Sequence, residues 1–344
     1  MTEQQIRAHF EEVRRDFGPE KHLAIPMFDD VLCYPLEEMI ALNKLAREID
    51  WEFDAEKRKE LIAQFGKLRR TITVKEDSQE RIYIWPEGRM PKITEYTDNS
   101  DFRYNHDPDF KPYMFEMLLP EDICPKGAVV VVPGGDHGEC TMTEGWQVCR
   151  ELNALGYQCF LLHNRVNHNP WCGQECGADV ARALRIIRSN AAKYKIEPDR
   201  VAFAGFSNGG LTGEACIQYY SGSQTVADHF PEYVPDALDE LPGAPDAFLC
   251  IYGPRFKGAE FDYTNVSYPP TFFAVGRGDS AMENLNFVYP SLVEHGVPVE
   301  IHTFAGTPHG VGGIALIDGQ VKYPNFQLWL PLADAFMQDV YNNR

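Results

Sequence analysis

No stretch of the 344-residue chain approaches 18 consecutive apolar residues, so nothing in it reads as a membrane-spanning helix. Positive charge is scarce: Lys+Arg number 32 against 51 Asp+Glu, a formal net charge of −19. Such a surplus suits neither the phosphate backbone of a nucleic acid nor an anionic lipid surface, and it reads as a solubility feature. The opening segment MTEQQIRAHFEEVRRDF lacks a basic stub followed by an apolar run, so the expectation is a chain without an export signal. A glycine-rich phosphate loop, a dinucleotide fingerprint, an internal repeat and a low-complexity tract are all missing from the sequence. Cysteine is present but not organised. The nine Cys are an odd, scattered set, several inside apolar runs (Cys159, Cys250), which fits reduced buried thiols in a cytoplasmic protein better than a disulfide framework.

Hydrophobic residues make up 44% of the chain and charged residues 24%, enough to bury a large core and too apolar for a disordered chain. The first 80 residues read as a helical extension. Thr2 with Gln5 resembles a capping box, and Ile6, Phe10, Val13 and Phe17 share one helical face until Gly18-Pro19. Further helices fit Leu36 to Asp50 and about Asp54 to Gly66. No chemical constellation stands out there. The extension packs on the main body, caps a site, or serves as an arm for a homo-oligomer.

From residue 81 the pattern changes. Strands are expected over Arg81–Trp85, Pro112–Leu118, Ala128–Val132, Gln158–His163, Val201–Gly205, Ala247–Tyr252, Thr271–Val275 and Val299–Phe304. Helices carry Trp146, Cys149, Leu152 and Leu155; then Val180, Leu184, Ile187, Ala191 and Tyr194; then Gly210 to Tyr220; and last Trp329, Leu332, Phe336 and Val340. Short continuous apolar runs such as Ala128–Val132 suit strands buried on both faces. Their alternation with helices predicts an α/β fold: a mainly parallel, doubly wound sheet over residues 81–344, preceded by the helical extension 1–80.

The chemistry concentrates in three loops that follow strands. Gly205-Phe206-Ser207-Asn208-Gly209 joins a strand to a helix, a context in which the flanking glycines let a serine occupy a strained, exposed turn. A serine hydroxyl needs a base, and His309 in Gly306-Thr307-Pro308-His309-Gly310 is the best candidate. The base needs a carboxylate, and Asp279 in Gly276-Arg277-Gly278-Asp279 follows another strand; Asp262 and Glu283 are weaker alternatives. Pro133-Gly134-Gly135-Asp136 ends the first buried strand. Backbone N–H groups of Gly135 or Asp136, with that of Asn208, are the candidate donors for an oxyanion. His163, His168, Cys172 and Cys176 lie close in sequence but lack C-x-x-C or H-E-x-x-H spacing, so no metal is expected. His137, His168, Trp171 and Tyr252 are candidates for the substrate pocket.

These pieces together resemble the α/β-hydrolase superfamily, and within it bacterial carboxylesterases of the acetylesterase and acetyl-xylan-esterase type. The resemblance runs over residues 112–340. It is carried by Val131-Val132-Pro133-Gly134-Gly135, His163-Asn164-Arg165-Val166-Asn167, Gly205-Phe206-Ser207-Asn208-Gly209-Gly210, Pro269-Pro270-Thr271-Phe272-Phe273 with Gly278-Asp279, and Gly296-Val297-Pro298-Val299-Glu300 leading to Pro308-His309-Gly310. It implies an α/β-hydrolase fold, Ser207, Asp279 and His309 as a triad, and Asp179 as a structural helix acid near Arg165. Asp136-His137 departs from the pattern, in which the loop continues with glycine and often an aromatic residue. The expected activity is that of a cytoplasmic serine esterase acting through an acyl-enzyme. Its small-molecule substrate would be a short-chain, acetyl-type ester of a sugar, oligosaccharide or similar alcohol, with no cofactor, no nucleic-acid partner and no membrane. A peptidase or acyltransferase on the same triad, and a hydrolase-like ligand-binding protein without turnover, are the alternatives.

Overall fold

The computed structural model describes residues 81–93, 111–135, 144–165, 172–312, 316–317, 320–321 and 323–343, together with scattered positions between 45 and 64. The expected helix over residues 2–17 lies outside the described residues, and of the next only Leu45 and Glu48 are described, both helical. Described positions between 56 and 64 are helical as well, with the Lys57 N–H donating to Asp54 Oδ1 at 3.0 Å. Leu45 and Leu61 pack against the core.

Eight strands form one sheet: β1 (Ile82–Tyr83), β2 (Tyr113–Met117), β3 (Ala128–Val132), β4 (Gln158–His163), β5 (Val201–Phe206), β6 (Ala247–Ile251), β7 (Thr271–Gly276) and β8 (Val299–Phe304). Their spatial order is β1-β2-β4-β3-β5-β6-β7-β8. The β1–β2 and β2–β4 pairs are antiparallel and every later pair is parallel. Every residue of β3, β4, β5, β6 and β7 is buried, the reason these segments read as unbroken apolar runs and not as alternating ones. A two-stranded ladder, β9 (Leu316–Ile317) with β10 (Gln320–Val321), follows the main sheet.

The strand expected over Arg81–Trp85 shrinks to two residues. Pro86 follows, and the Trp85 indole N–H turns away to donate to Asp179 Oδ1 at 2.7 Å. Five longer helices flank the sheet: α1 (Trp146–Ala154), α2 (Gly173–Ser189), α3 (Asn208–Tyr220), α4 (Ala281–Glu294) and α5 (Trp329–Asn342). α2 and α3 pack on each other and on β5, α1 on β2 to β4, α4 on β7 and β8, and α5 on β6 and β7.

Register decides where the loops meet. Val132 pairs with Gly205, Phe206 with Ile251, Ile251 with Ala274, and Gly276 with Phe304. The carboxyl ends of five parallel strands therefore finish level, and the segments beginning at 133, 207, 252, 277 and 305 emerge along one edge, where open α/β sheets bind their ligands.

Candidate active site

A single residue, Ser207, separates β5 from α3. Its φ of 52° and ψ of −122° lie where a non-glycine residue pays about 1–3 kcal/mol. The turn is held by its own backbone. Ser207 N–H donates to the Ile251 carbonyl at 3.0 Å, and Gly210 N–H donates to the Ser207 carbonyl at 2.9 Å. A side chain at Gly205 would run into the backbone of Gly209, and one at Gly209 into the carbonyl of Val132. The flanking glycines are thus required by close backbone approach around the serine, and both are met by the G-x-S-x-G spacing.

His309 Nε2 lies 2.8 Å from Ser207 Oγ, and His309 Nδ1 lies 2.8 Å from Asp279 Oδ2. Those partners set the tautomer: Nδ1–H donates to the carboxylate, and Nε2 accepts from the serine hydroxyl. The His309 side chain is 45% exposed whereas that of Asp279 is fully buried, so the imidazole faces the solvent edge with its carboxylate behind it. Asp279 is fixed in turn. Its Oδ1 accepts from Ala281 N–H at 2.8 Å at the start of α4, where the helix dipole favours a negative charge. Gly278 N–H donates to the Thr307 carbonyl at 3.1 Å and Arg277 N–H to that of Phe304 at 2.8 Å, which stitches the Asp279 loop to the His309 loop.

The loop after β3 approaches from the other side. A side chain at Gly134 would meet Ser207 Cβ at 2.8 Å, so this loop backs directly onto the serine. Gly134 N–H donates to Glu144 Oε2 at 2.7 Å and is thereby committed. Gly135 follows with φ 135°. Asn208, the first residue of α3, is buried at the helix end where backbone N–H groups point outward.

The remaining sequence candidates divide. Asp136, His137, His168 and Trp171 lie outside the described residues. Tyr252 is only 1% exposed: its ring stands edge-on to the His309 imidazole, centroids 4.8 Å apart, while its hydroxyl faces inward. It packs against the histidine from the protein side. Asp262 instead accepts from Thr264, and Glu283 pairs with Lys257 at the surface. His163 is buried and stacked on Tyr113 with ring centroids 4.8 Å apart, and the Cys176 thiol donates to the Arg165 carbonyl at 3.0 Å. Among the described residues, no group of three or more His, Cys, Asp or Glu could hold a metal ion. The seven described cysteines are all free thiols.

Sequence reasoning missed Glu144. It is 3% exposed, and burial pushes its carboxyl above the ordinary carboxylate range, against the opposing pull of bonds from Tyr252 and Gly134 and of the nearby His309. Nothing in its spacing distinguishes it from an ordinary acid at a helix start.

No family model matches the chain. Among curated proteins, it is 27% identical over 183 residues to endo-1,4-beta-xylanase B of Butyrivibrio fibrisolvens, covering 51% of this chain and 27% of the relative. It is 36% identical over 111 residues to the acetylxylan esterase of Xylanibacter ruminicola, covering 32% of this chain and 22% of the relative. The aligned stretches thus span about a quarter of those relatives' length. Among solved structures, the acetyl ester-xyloside bifunctional hydrolase of Caldicellulosiruptor lactoaceticus superposes with a TM-score of 0.58 at 23% identity, over 76% of this chain and 96% of its own. With the mostly parallel eight-stranded sheet and its flanking helices, that likeness establishes that the chain has the α/β-hydrolase fold.

Proposed function

We propose that this protein is a serine carboxylesterase that removes short acyl groups, acetyl foremost, from a sugar, oligosaccharide or similar small alcohol. The observation that carries the reading is the unbroken relay from Ser207 Oγ to His309 Nε2 and from His309 Nδ1 to Asp279 Oδ2, both at 2.8 Å, on a serine held at positive φ. In the first half-reaction Ser207 Oγ attacks the ester carbonyl while His309 Nε2 takes the hydroxyl proton. The tetrahedral oxyanion is received by backbone N–H groups of Gly135, Asp136 and Asn208, and the buried carboxylate of Asp279 stabilises the imidazolium. Collapse breaks the carbon–oxygen bond to the alcohol, which leaves with the proton from His309. Water then attacks the acyl-enzyme, His309 takes a proton from it, and a second collapse releases the carboxylic acid and returns the proton to Ser207.

The acyl and alcohol assignments draw on similarity. An acetylxylan esterase and an acetyl ester-xyloside hydrolase are among the proteins this chain is similar to. His137, His168 and Trp171 are the residues we assign to the alcohol side, and the free thiols fit a cytoplasmic location. A fluorophosphonate probe tests the mechanism. It should label Ser207, and Ser207→Ala should lose both labelling and ester turnover. Activity retained in that variant, with the label elsewhere, would sink the mechanism. A series of aryl esters of increasing acyl length, followed by acetylated oligosaccharides, tests the substrate class: kcat/KM should fall beyond the shortest acyl chains.

A further inference from the structure

Glu144 and Tyr252 are buried polar side chains beside the site that the proposed relay does not use. They form a continuous bridge. The Tyr252 hydroxyl donates to Glu144 Oε1 at 2.5 Å, and Glu144 Oε2 accepts from Gly134 N–H at 2.7 Å. The Tyr252 oxygen in turn accepts from Gly312 N–H at 2.8 Å, three residues beyond His309. Gly312 is held from its other side, its carbonyl accepting from the Trp329 indole at 2.8 Å. One buried carboxylate and one phenol therefore join the loop that backs onto Ser207 to the loop that carries the base. The Tyr252 ring also stands against the His309 imidazole.

From this geometry we infer that Glu144 and Tyr252 are positioning residues: they hold the oxyanion-binding loop and the His309 loop in fixed relation, and Glu144, when ionised, adds a second negative charge facing the imidazolium. The inference rests on the esterase reading. Its physical logic is that a packed core would satisfy this volume with an apolar residue at lower cost, since burying a carboxylate disfavours its charged form. The charge finds compensation in two donors on opposite loops, and both loops carry groups that must not move during acyl transfer. Among the described residues, Asp279, Glu144 and Tyr252 face His309, from the loop after β7, the turn before α1 and the end of β6. Tyr252 and His309 face Glu144.

Two near-isosteric variants test the bridge. Glu144→Gln keeps the volume, removes the charge and presents an amide donor to one of two groups that already donate. Tyr252→Phe keeps the ring against His309 and deletes the hydroxyl. Each should lower kcat by about ten- to a hundredfold with KM changed less than about threefold, because positioning is felt most in the transition state. Glu144→Gln should also move the acid limb of the kcat/KM profile to lower pH, since a negative charge that favours protonated His309 has gone; a merely structural role would not move it. Circular dichroism and thermal melting establish that the variants fold. If both variants fold and keep kcat within about twofold, or if the loss follows falling stability with the acid limb unmoved, the inference is overturned while the esterase reading stands. A wild-type enzyme without ester turnover or Ser207 labelling overturns that reading, and this inference with it.

Discussion

Ser207 carries two burdens that can be separated by substitution. One is chemical, the hydroxyl beside His309; the other is conformational, the positive φ at the head of α3. Ser207→Ala removes the first and keeps the second, because alanine still has a Cβ. Ser207→Gly removes both. Relief of backbone strain should contribute about 1–3 kcal/mol, and the extra freedom of glycine in the unfolded chain should take back about 0.5–1 kcal/mol. Ser207→Gly is thus expected to be more stable than Ser207→Ala by up to about 2.5 kcal/mol in denaturant unfolding. A glycine variant less stable than the alanine variant would show that the elbow stores no strain. The position of this residue was legible in the sequence because the glycines on either side answer to backbone approach alone, which leaves a fixed spacing. Glu144 was not legible for the complementary reason. Its role depends on Tyr252 and Gly312, more than 100 residues away, and no local spacing records such a meeting.

Between β4 and α2 the structure places a buried charge cluster that the sequence reading caught only through resemblance. Asp179 accepts four hydrogen bonds. Its Oδ2 takes Arg165 N–H at 2.9 Å and Nε–H at 3.0 Å, and its Oδ1 takes Arg165 Nη2–H at 2.8 Å and the Trp85 indole at 2.7 Å. Arg165 also donates to the carbonyls of Pro91 and Glu175, while Glu175 Oε1 accepts from Ile93 N–H at 2.6 Å. The segment 84–93 is therefore fastened to α2 and to the end of β4 by charge-assisted bonds. That explains why the first expected strand ends early without leaving its backbone loose. Arg165 and Asp179 are fully buried, so removing one partner strands the other. Asp179→Ala should cost about 3–5 kcal/mol, read as a lowered denaturant midpoint at unchanged slope. A loss under about 1 kcal/mol would mean that water or another acid repairs the site. Strands β3 to β7 were readable to within about one residue, since their apolar runs are set by burial on both faces. The cluster was not, because hydrogen-bond partners drawn from three elements leave no period in the chain.

Across the whole molecule, the charge imbalance of −19 is large for a protein whose proposed substrate is neutral. A field of one sign leaves the encounter with a neutral ester untouched and opposes approach of an anionic one, with a reach of about 10 Å at 0.1 M salt. The parallel strands end on one edge, so Ser207 and the half-exposed His309 of the proposed site stand where that field meets solvent. A pair of aryl acetates differing only in a remote sulfonate isolates the effect. For the neutral ester, kcat/KM should stay flat between low salt and 0.5 M sodium chloride. For the anionic ester it should begin lower and rise several-fold as screening sets in, with the change in KM and not in kcat, because the acyl-enzyme is common to both. Identical, flat salt profiles for the two esters would mean that the acidic surplus is carried away from this edge of the sheet. A fall with salt for the anionic ester would place positive charge at the mouth of the site, and would turn the proposed substrate from an acetylated neutral sugar towards an acidic one.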